Sequence, residues 1–237
     1  HHRLPDLVMT CRLAGVEFRV APDLYELSFD RIDIGNLSGI PLIGLKELSL
    51  RGWNLVVKRA IDLALVILSL PLSVPLALVL ALIVRLDSPG PAIFRQRRIG
   101  RDGQPFTCYK FRTMVVDAES RKAELAALNE ADGPLFKMRN DPRTTRVGKL
   151  LRRYSLDELP QLWNILRGEM SWVGPRPATN EEVTQYEDWH YRRLTVVPGL
   201  TALSQVLGRS DISFDEMVRL GIFYTENWSP GMDVRIL

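Results

Sequence analysis

Residues Leu63 to Val84 read LALVILSLPLSVPLALVLALIV, without one charged side chain. Roughly 20 such residues cross a bilayer as a helix, and a helix that is apolar all round has no face to turn to water. The run therefore belongs in a membrane. Pro71 and Pro75 stand in its middle, where each removes a backbone donor and bends a helix. Membrane helices tolerate proline where the freed carbonyls find partners. Basic residues mark the cytoplasmic side, and here both flanks are basic. Lys58 and Arg59 precede the run; Arg85, Arg95, Arg97, Arg98 and Arg101 come after it. A plain span leaves one basic end outside. A helix that enters, breaks at the prolines and returns to the same face satisfies both ends, so the pattern predicts a re-entrant hairpin.

With 237 residues, 46% hydrophobic and 25% charged, the chain is long enough for one full domain with appendages. In residues 1–50 the runs GVEFRVAP and GIPLIGL bracket DLYELSFDRIDIGNL, which suggests the tail of an α/β unit. That stretch is too short for a core of its own and is expected to be the remnant of a larger domain. Ser88-Pro89-Gly90-Pro91 separates the apolar run from the more polar sequence beyond it. AIFRQRRIG and QPFTCYKFRTM, joined by Arg101-Asp102-Gly103, predict a β-hairpin. Residues 115–130 are helical by composition. From Thr145 to Leu166 apolar residues recur with a helical period, at Val147, Leu150, Leu151, Tyr154, Leu159, Leu162, Trp163 and Leu166. Such a stripe lies in a core or in the headgroup layer of a membrane.

The net charge of +3 gives a mild attraction to anions. Cys11 and Cys108 are far apart, which argues against a disulfide framework or a zinc site. There is no Walker loop, GxGxxG or HExxH. Sparse aromatic interleaving and the adjacent membrane run argue against nucleic acid as a partner.

Three constellations can carry chemistry. In SLDELPQLWN, Asp157 and Glu158 stand side by side. Asp157 can serve as an N-cap with Pro160 in the first helical turn, or Ser155 and Glu158 can form a capping box. The pair can equally supply an Asp nucleophile for a phosphorus centre, with Glu158 as base or metal ligand. A helix N-terminus and nearby arginines are expected to keep Asp157 ionised. Local rules favour the cap, and the two roles are compatible. In SWVGPRPAT, Pro175 and Pro177 fix the backbone around Arg176, whose planar guanidinium suits a phosphate or a base edge. Arg95, Arg97, Arg98, Lys110 and Arg112 on the hairpin, with Arg152 near the acids, are candidates for diphosphate neutralisation or for lipid headgroups.

Three blocks run in order from Lys58 towards the C-terminus: KRAIDLALVILSLPLSVPLALVLALIVRLDSPGPAIFRQRRIGRDGQPFTCYKFRTM, DPRTTRVGKLLRRYSLDELPQLWNILRGEMSWVGPRP and VPGLTALSQVLGRSDISFDEMVRLGIFYTENWS. Together they resemble the bacterial sugar transferases, the monotopic polyprenyl-phosphate phosphoglycosyl transferases. The resemblance implies an α+β, mainly helical fold. Residues 1–50 look like the C-terminal remnant of a Rossmann-like domain, 51–87 like a re-entrant membrane helix broken at Val74-Pro75, and 88–237 like a catalytic domain on the cytosolic face. That domain is expected to hold a small β-hairpin and amphipathic interfacial helices.

The implied location is the bacterial inner membrane, with the active site on the cytoplasmic face. The implied reaction moves a sugar-1-phosphate from a UDP-sugar to undecaprenyl phosphate and releases UMP, the first membrane step of exopolysaccharide, capsule or O-antigen assembly. It runs by a ping-pong sequence through a phosphosugar carried on Asp157, with Glu158 completing the dyad and Mg2+ held by the two acids. Arg152 matches a phosphate-holding arginine, with Arg112 and Lys110 as further phosphate ligands, and Pro175, Arg176 and Pro177 match the uridine-nucleotide motif. Besides the two substrates, membrane lipid and a second copy of the chain are the implied partners. The chain departs from the family pattern at Ala202 and Ser204, where relatives carry glycine and tryptophan. Two other readings suit the residues: a membrane-bound phosphohydrolase with water as acceptor, and a scaffold whose acids only cap a helix.

Overall fold

The computed structural model describes residues 32–37, 40–45, 49–122, 124–125, 129, 138, 140–208 and 212–237. The chain divides into two compact units, His1–Glu47 and Leu48–Leu237. In the first, β1 (Ile32–Leu37) and β2 (Ile40–Leu45) form an antiparallel hairpin with Leu37 opposite Ile40. β2 falls on the expected GIPLIGL run, while GVEFRVAP lies outside the described residues.

The second unit begins with α1 (Trp53–Asp87), 35 residues long and ended by Ser88. At 1.5 Å per residue it measures about 52 Å, far more than a bilayer's hydrocarbon core. Helical backbone runs through Pro71, Val74 and Pro75. The expected break at Val74-Pro75 is therefore not an interruption, and any return to the same face is made by bending within α1. The prolines remove the amide donors that would bond the carbonyls of Ile67 and Pro71. One stripe of α1, through Lys58, Asp62, Val66, Ser73, Leu80 and Val84, is buried. Ile67, Leu68, Leu72, Leu78, Val79, Leu82 and Leu86 are exposed on the other sides. An exposed apolar surface this continuous belongs to lipid, not water, and associates the chain with a membrane.

Both ends of α1 are tied to the rest of the unit. Lys58 Nζ lies 2.7 Å from Asp233 Oδ2 and 3.6 Å from Asp62 Oδ1. The Asp62 carboxylate accepts from Ser171 Oγ and the Trp172 amide. Arg59 donates to the carbonyls of Ile165 and Leu166. At the far end Arg112 donates to the carbonyls of Ser88 and Pro89. Lys58 and Arg59, expected as a cytoplasmic flank, are thus bonded within the protein. Between these anchors Val66 and Leu70 pack on Cys108, Leu162, Ile165 and Met170. Leu76, Ala77, Leu80, Ala81 and Val84 pack on Phe111 and Leu151. Residues 71–75, with both prolines, take part in neither cluster.

Beyond the Ser-Pro-Gly-Pro break, β3 (Ile93–Ile99) and β4 (Pro105–Phe111) form the expected hairpin, with Arg98 opposite Phe106 and Phe94 opposite Lys110. Its turn places Asp102 at φ 54° and Gly103 at φ 74°. Asp-Gly tolerates that left-handed backbone, which matches the strand twist. The described part of 115–130 is turn and a short 3-10 helix at Ser120–Lys122 instead of the expected α-helix; most of the rest lies outside the described residues.

The period from Thr145 to Leu166 is not one helix. It is α2 (Arg146–Arg153), a 3-10 helix at Leu156–Gln161 and α3 (Leu162–Arg167). Ser155, at φ 56°, separates the first two. Leu151 and Leu162 enter the core while Leu150, Tyr154 and Trp163 stay exposed. Two short parallel strands come next, β5 (Ser171–Val173) and β6 (Gly199–Thr201), with α4 (Asn180–Val183) and a 3-10 helix at Asp188–Thr195 between them. The helices α5 (Leu203–Leu207), α6 (Phe214–Asn227) and α7 (Pro230–Ile236) complete the unit. Mixed helices and two-stranded sheets thus agree with the expected class.

Breaking one partner of a buried ion pair costs about 3–5 kcal/mol because the other charge stays buried. Lys58→Met strands Asp62 and Asp233 in that way. It is expected to lower the unfolding temperature of the detergent-solubilised chain well below the wild-type value, as read by intrinsic fluorescence. An unchanged midpoint contradicts the anchoring role.

Candidate functional site

Asp157 and Glu158 occupy the first turn of the 3-10 helix Leu156–Gln161. Neither expected cap is present: Ser155 is the N-cap residue and makes no side-chain cap bond, although the Glu158 amide bonds the Ser155 carbonyl. The left-handed backbone at Ser155 is sparsely populated for a residue with a Cβ and has to be held by its surroundings. It ends α2 abruptly and turns the two acids inward. Asp157 is buried and Glu158 half-buried.

Lys110, on β4, reaches across to Glu158, Nζ to Oε1 2.6 Å. Asn164 supports that approach. Its Nδ2 donates to the Thr107 carbonyl and to Glu169, and its Oδ1 accepts from the Tyr109 amide. A buried amide in α3 thus takes the place of a third strand along β4 and fixes Lys110 opposite the acids. Arg152, at the end of α2, donates Nε to Thr113 Oγ1 and stands close enough to bias the Asp157 charge. α2 approaches Thr113 through Gly148, where a Cβ would sit 2.1 Å from the Thr113 carbonyl oxygen. Asp141 and Arg143 pair just before α2 and bury together.

Burial pushes the Asp157 carboxyl above the usual range and the adjacent Glu158 adds to it, while Lys110 and Arg152 pull it back. Among the influences on this carboxyl, desolvation is the largest and sets the direction of the shift against its cations.

The Pro175-Arg176-Pro177 loop comes directly after β5 and is held at four consecutive carbonyls. Gly199 N bonds that of Pro175, Arg193 Nη2 that of Arg176, Arg98 Nη1 that of Pro177 and Ile99 N that of Ala178. A Cβ at Gly199 would lie 2.1 Å from the Gly174 nitrogen, so only glycine lets β6 run this close. With its carbonyls turned inward, the loop presents the half-buried Arg176 side chain to a narrow cleft. Arg98, Lys110, Glu158, Arg176, Pro177 and Gly199 line it. Cys108 also lines it, and burial pushes that thiol up, keeping it protonated and unreactive. The cleft measures ≈ 30 Å³, room for a water or two.

The structure thus brings together Asp157, Glu158, Lys110 and Arg152, and joins Arg176 and Pro177 to Glu158 across the cleft. Pro175 is buried behind them. Arg112 is elsewhere: its guanidinium caps the end of α1 at the carbonyls of Ser88 and Pro89, a helix-terminus role. The pleat divides the remaining hairpin cations, with Arg98 buried under the cleft and Arg95 and Arg97 exposed. Sequence reasoning missed Arg193 and Asn164, whose partners are set by long-range packing. For Arg98 a signal existed, since strand alternation separates Gln96 and Arg98 from Arg95 and Arg97.

The profile of the family described as bacterial sugar transferase matches residues 53–237. The chain is 39% identical over its full length to "Galactosyl transferase CpsE" of Streptococcus agalactiae, covering 53% of that protein. It is 37% identical, again over its full length, to the Escherichia coli "UDP-glucose:undecaprenyl-phosphate glucose-1-phosphate transferase", covering 49% of it. Over 62% of the chain it is 45% identical to the Salmonella typhimurium "Undecaprenyl-phosphate galactose phosphotransferase", of which it covers 32%. The chain spans about half the length, or less, of these curated relatives.

A folded-state pKa above the unfolded value means that Asp157 binds its proton more tightly when folded. Its contribution to stability therefore falls as pH rises from the unfolded value near 3.8 through the raised folded value. Asp157→Asn is expected to raise the unfolding temperature at pH 7.5, with the gain vanishing below pH 4. A lower midpoint at pH 7.5 would mean that attraction to Lys110 and Arg152 outweighs burial.

Proposed function

The chain belongs to the bacterial sugar transferase family, and from that premise we propose that it moves a sugar-1-phosphate from a UDP-sugar to undecaprenyl phosphate. The observation that carries the reading is the convergence of Glu158, Lys110 and Arg176 on one cleft, with the buried Asp157 beside it. An anionic nucleophile attacks a diphosphate only where the charge of both is offset, and this cleft supplies lysine and arginine on opposite walls.

In the proposed first step a carboxylate oxygen of Asp157 attacks the β-phosphorus, an Asp157–phosphosugar bond forms, and the bond to the α-phosphate oxygen breaks to release UMP. In the second, a phosphate oxygen of the lipid attacks the same phosphorus. The bond to Asp157 breaks, which yields undecaprenyl-diphospho-sugar and the free carboxylate. Burial raises the energy of the Asp157 anion, which favours its attack. Lys110 exchanges Glu158 for a phosphate oxygen as the donor binds, and Arg176 takes the nucleotide phosphate, with Arg98 and Arg193 holding its loop still. The cleft is smaller than a nucleotide, so the half-buried side chains at its mouth move aside to admit the donor.

The acids suit Mg2+, which binds through one or two carboxylates and completes its shell with water and substrate phosphate. Among the described residues no cluster of three or more His, Cys, Asp or Glu side chains could hold a metal alone. Asp157 and Glu158 would hold the ion, and it would supply charge neutralisation at the diphosphate. The same reading puts α1 into the cytoplasmic leaflet as a re-entrant helix. Its support is that both ends of α1 are bonded to one unit.

The test is UMP release by the purified chain in detergent, across a panel opening with UDP-galactose and UDP-glucose, with and without undecaprenyl phosphate. One sugar is expected to give lipid-dependent UMP at stoichiometry one with diphospho-lipid product. Asp157→Asn is expected to lose at least about 10⁴-fold in rate, the scale of removing a covalent nucleophile. Lipid-independent release of phosphate or sugar would make the chain a hydrolase. Silence with every sugar would leave a scaffold.

A further inference from the structure

The donor cleft has no lining residue in common with a second concavity, an open groove of ≈ 920 Å³ between α1 and the start of β3. Ala81, Leu82 and Arg85 of α1 form one wall; Ile93, Phe94 and Arg95 of β3 form the other. Leu82 and Phe94 are apolar and exposed. Arg85 and Arg95 are exposed too, and among the described residues neither guanidinium has an ion-pair or hydrogen-bond partner, unlike Arg98 and Arg101 nearby. An apolar trough with two unpaired cations matches one chemistry: a hydrocarbon chain that ends in a phosphate.

Its place in the fold selects among lipids. The groove lies where α1 leaves its apolar run, at Arg85, and a cation at the end of an apolar run marks the headgroup level. Its strand wall is the strand paired to β4: Phe94 stands opposite Lys110, which holds Glu158. Ala81 and Ile93 belong to the same packing cluster as Leu156 and Leu159, which bracket the two acids. A phosphate on Arg85 and Arg95 is thus one strand pair away from the dyad, at residues the donor cleft does not use.

We propose that this groove seats the phosphate end of the lipid acceptor, Leu82 and Phe94 carrying its first apolar segment and Arg85 and Arg95 gathering the phosphate before it passes Phe94 and Lys110. The two substrates then arrive by separate routes, one from water and one from the bilayer. The proposal rests on the reading of the function given above.

Two measurements on the full chain in detergent test it. Exchange of labelled UMP into UDP-sugar without lipid reports the donor half-reaction, and transfer at varied undecaprenyl phosphate reports the acceptor. Arg85→Ala and Arg95→Ala are expected to keep the exchange rate within about two-fold. They are expected to raise the KM for undecaprenyl phosphate about ten-fold each, the loss of one charge-assisted contact. Leu82→Trp, which fills the trough, is expected to do the same. Arg101→Ala, an equal charge loss on the hairpin turn, is expected to change neither. An unmoved lipid KM in an active enzyme, or an equal loss in both measurements, overturns the groove alone. Competition by phosphatidylglycerol as effective as that of the acceptor overturns it too, since the trough would then take bulk lipid. A wild type that neither exchanges nor transfers overturns the functional reading first and the groove with it.

Discussion

Lys58, buried against Asp62 and Asp233, and Arg112, bonded to the carbonyls that close the helix, fasten both ends of α1 to one folded unit. The rest of the architecture depends on that double attachment. The exposed apolar sides of α1 associate with lipid, and the double attachment holds the folded unit to both ends of that helix. Lys58 also reaches α7 through Asp233, and Asp62 reaches β5 through Ser171 and Trp172. The membrane segment, the C-terminal helix and the strand that leads into the Arg176 loop therefore share one ionic joint.

The acids are held by contacts that are strained or costly taken singly. Ser155 adopts a left-handed backbone, Asp157 is desolvated, and Arg193 is fully buried with two of its guanidinium nitrogens unbonded. Such features persist only where the surroundings over-determine them. Here Asn164 sutures β4 to α3, and four carbonyls in a row pin the loop opposite. In the proposed reaction, the desolvation that disfavours the Asp157 anion would also favour its attack on phosphorus.

How much of this is legible in the sequence depends on the range of the interaction. The uncharged run, the Asp-Gly turn and the Ser-Pro-Gly-Pro stop act within a few residues, and α1 and the β3–β4 hairpin lie where local rules put them. The single helical period from Thr145 to Leu166 does not survive: packing of Leu151 and Leu162 into different clusters overrides it and forces the turn at Ser155. Charge runs mislead for the same reason. Lys58 and Arg59 read as a cytoplasmic flank and Arg112 as a headgroup or phosphate cation, yet each ends on a partner more than twenty residues distant. Asp157 and Glu158 are visible as a pair, but whether burial or a helix terminus governs the charge requires the fold.

The account turns on whether α1 returns to the face it left. Cysteines placed one at a time at Trp53 and Asp87, both exposed, in a Cys11→Ser background can be probed with a membrane-impermeant maleimide in spheroplasts and in inverted vesicles. Both positions are expected to be silent in spheroplasts and labelled in inverted vesicles. Labelling of one position in spheroplasts and the other in inverted vesicles would show a span across the bilayer and contradict the attachment of both helix ends to one unit.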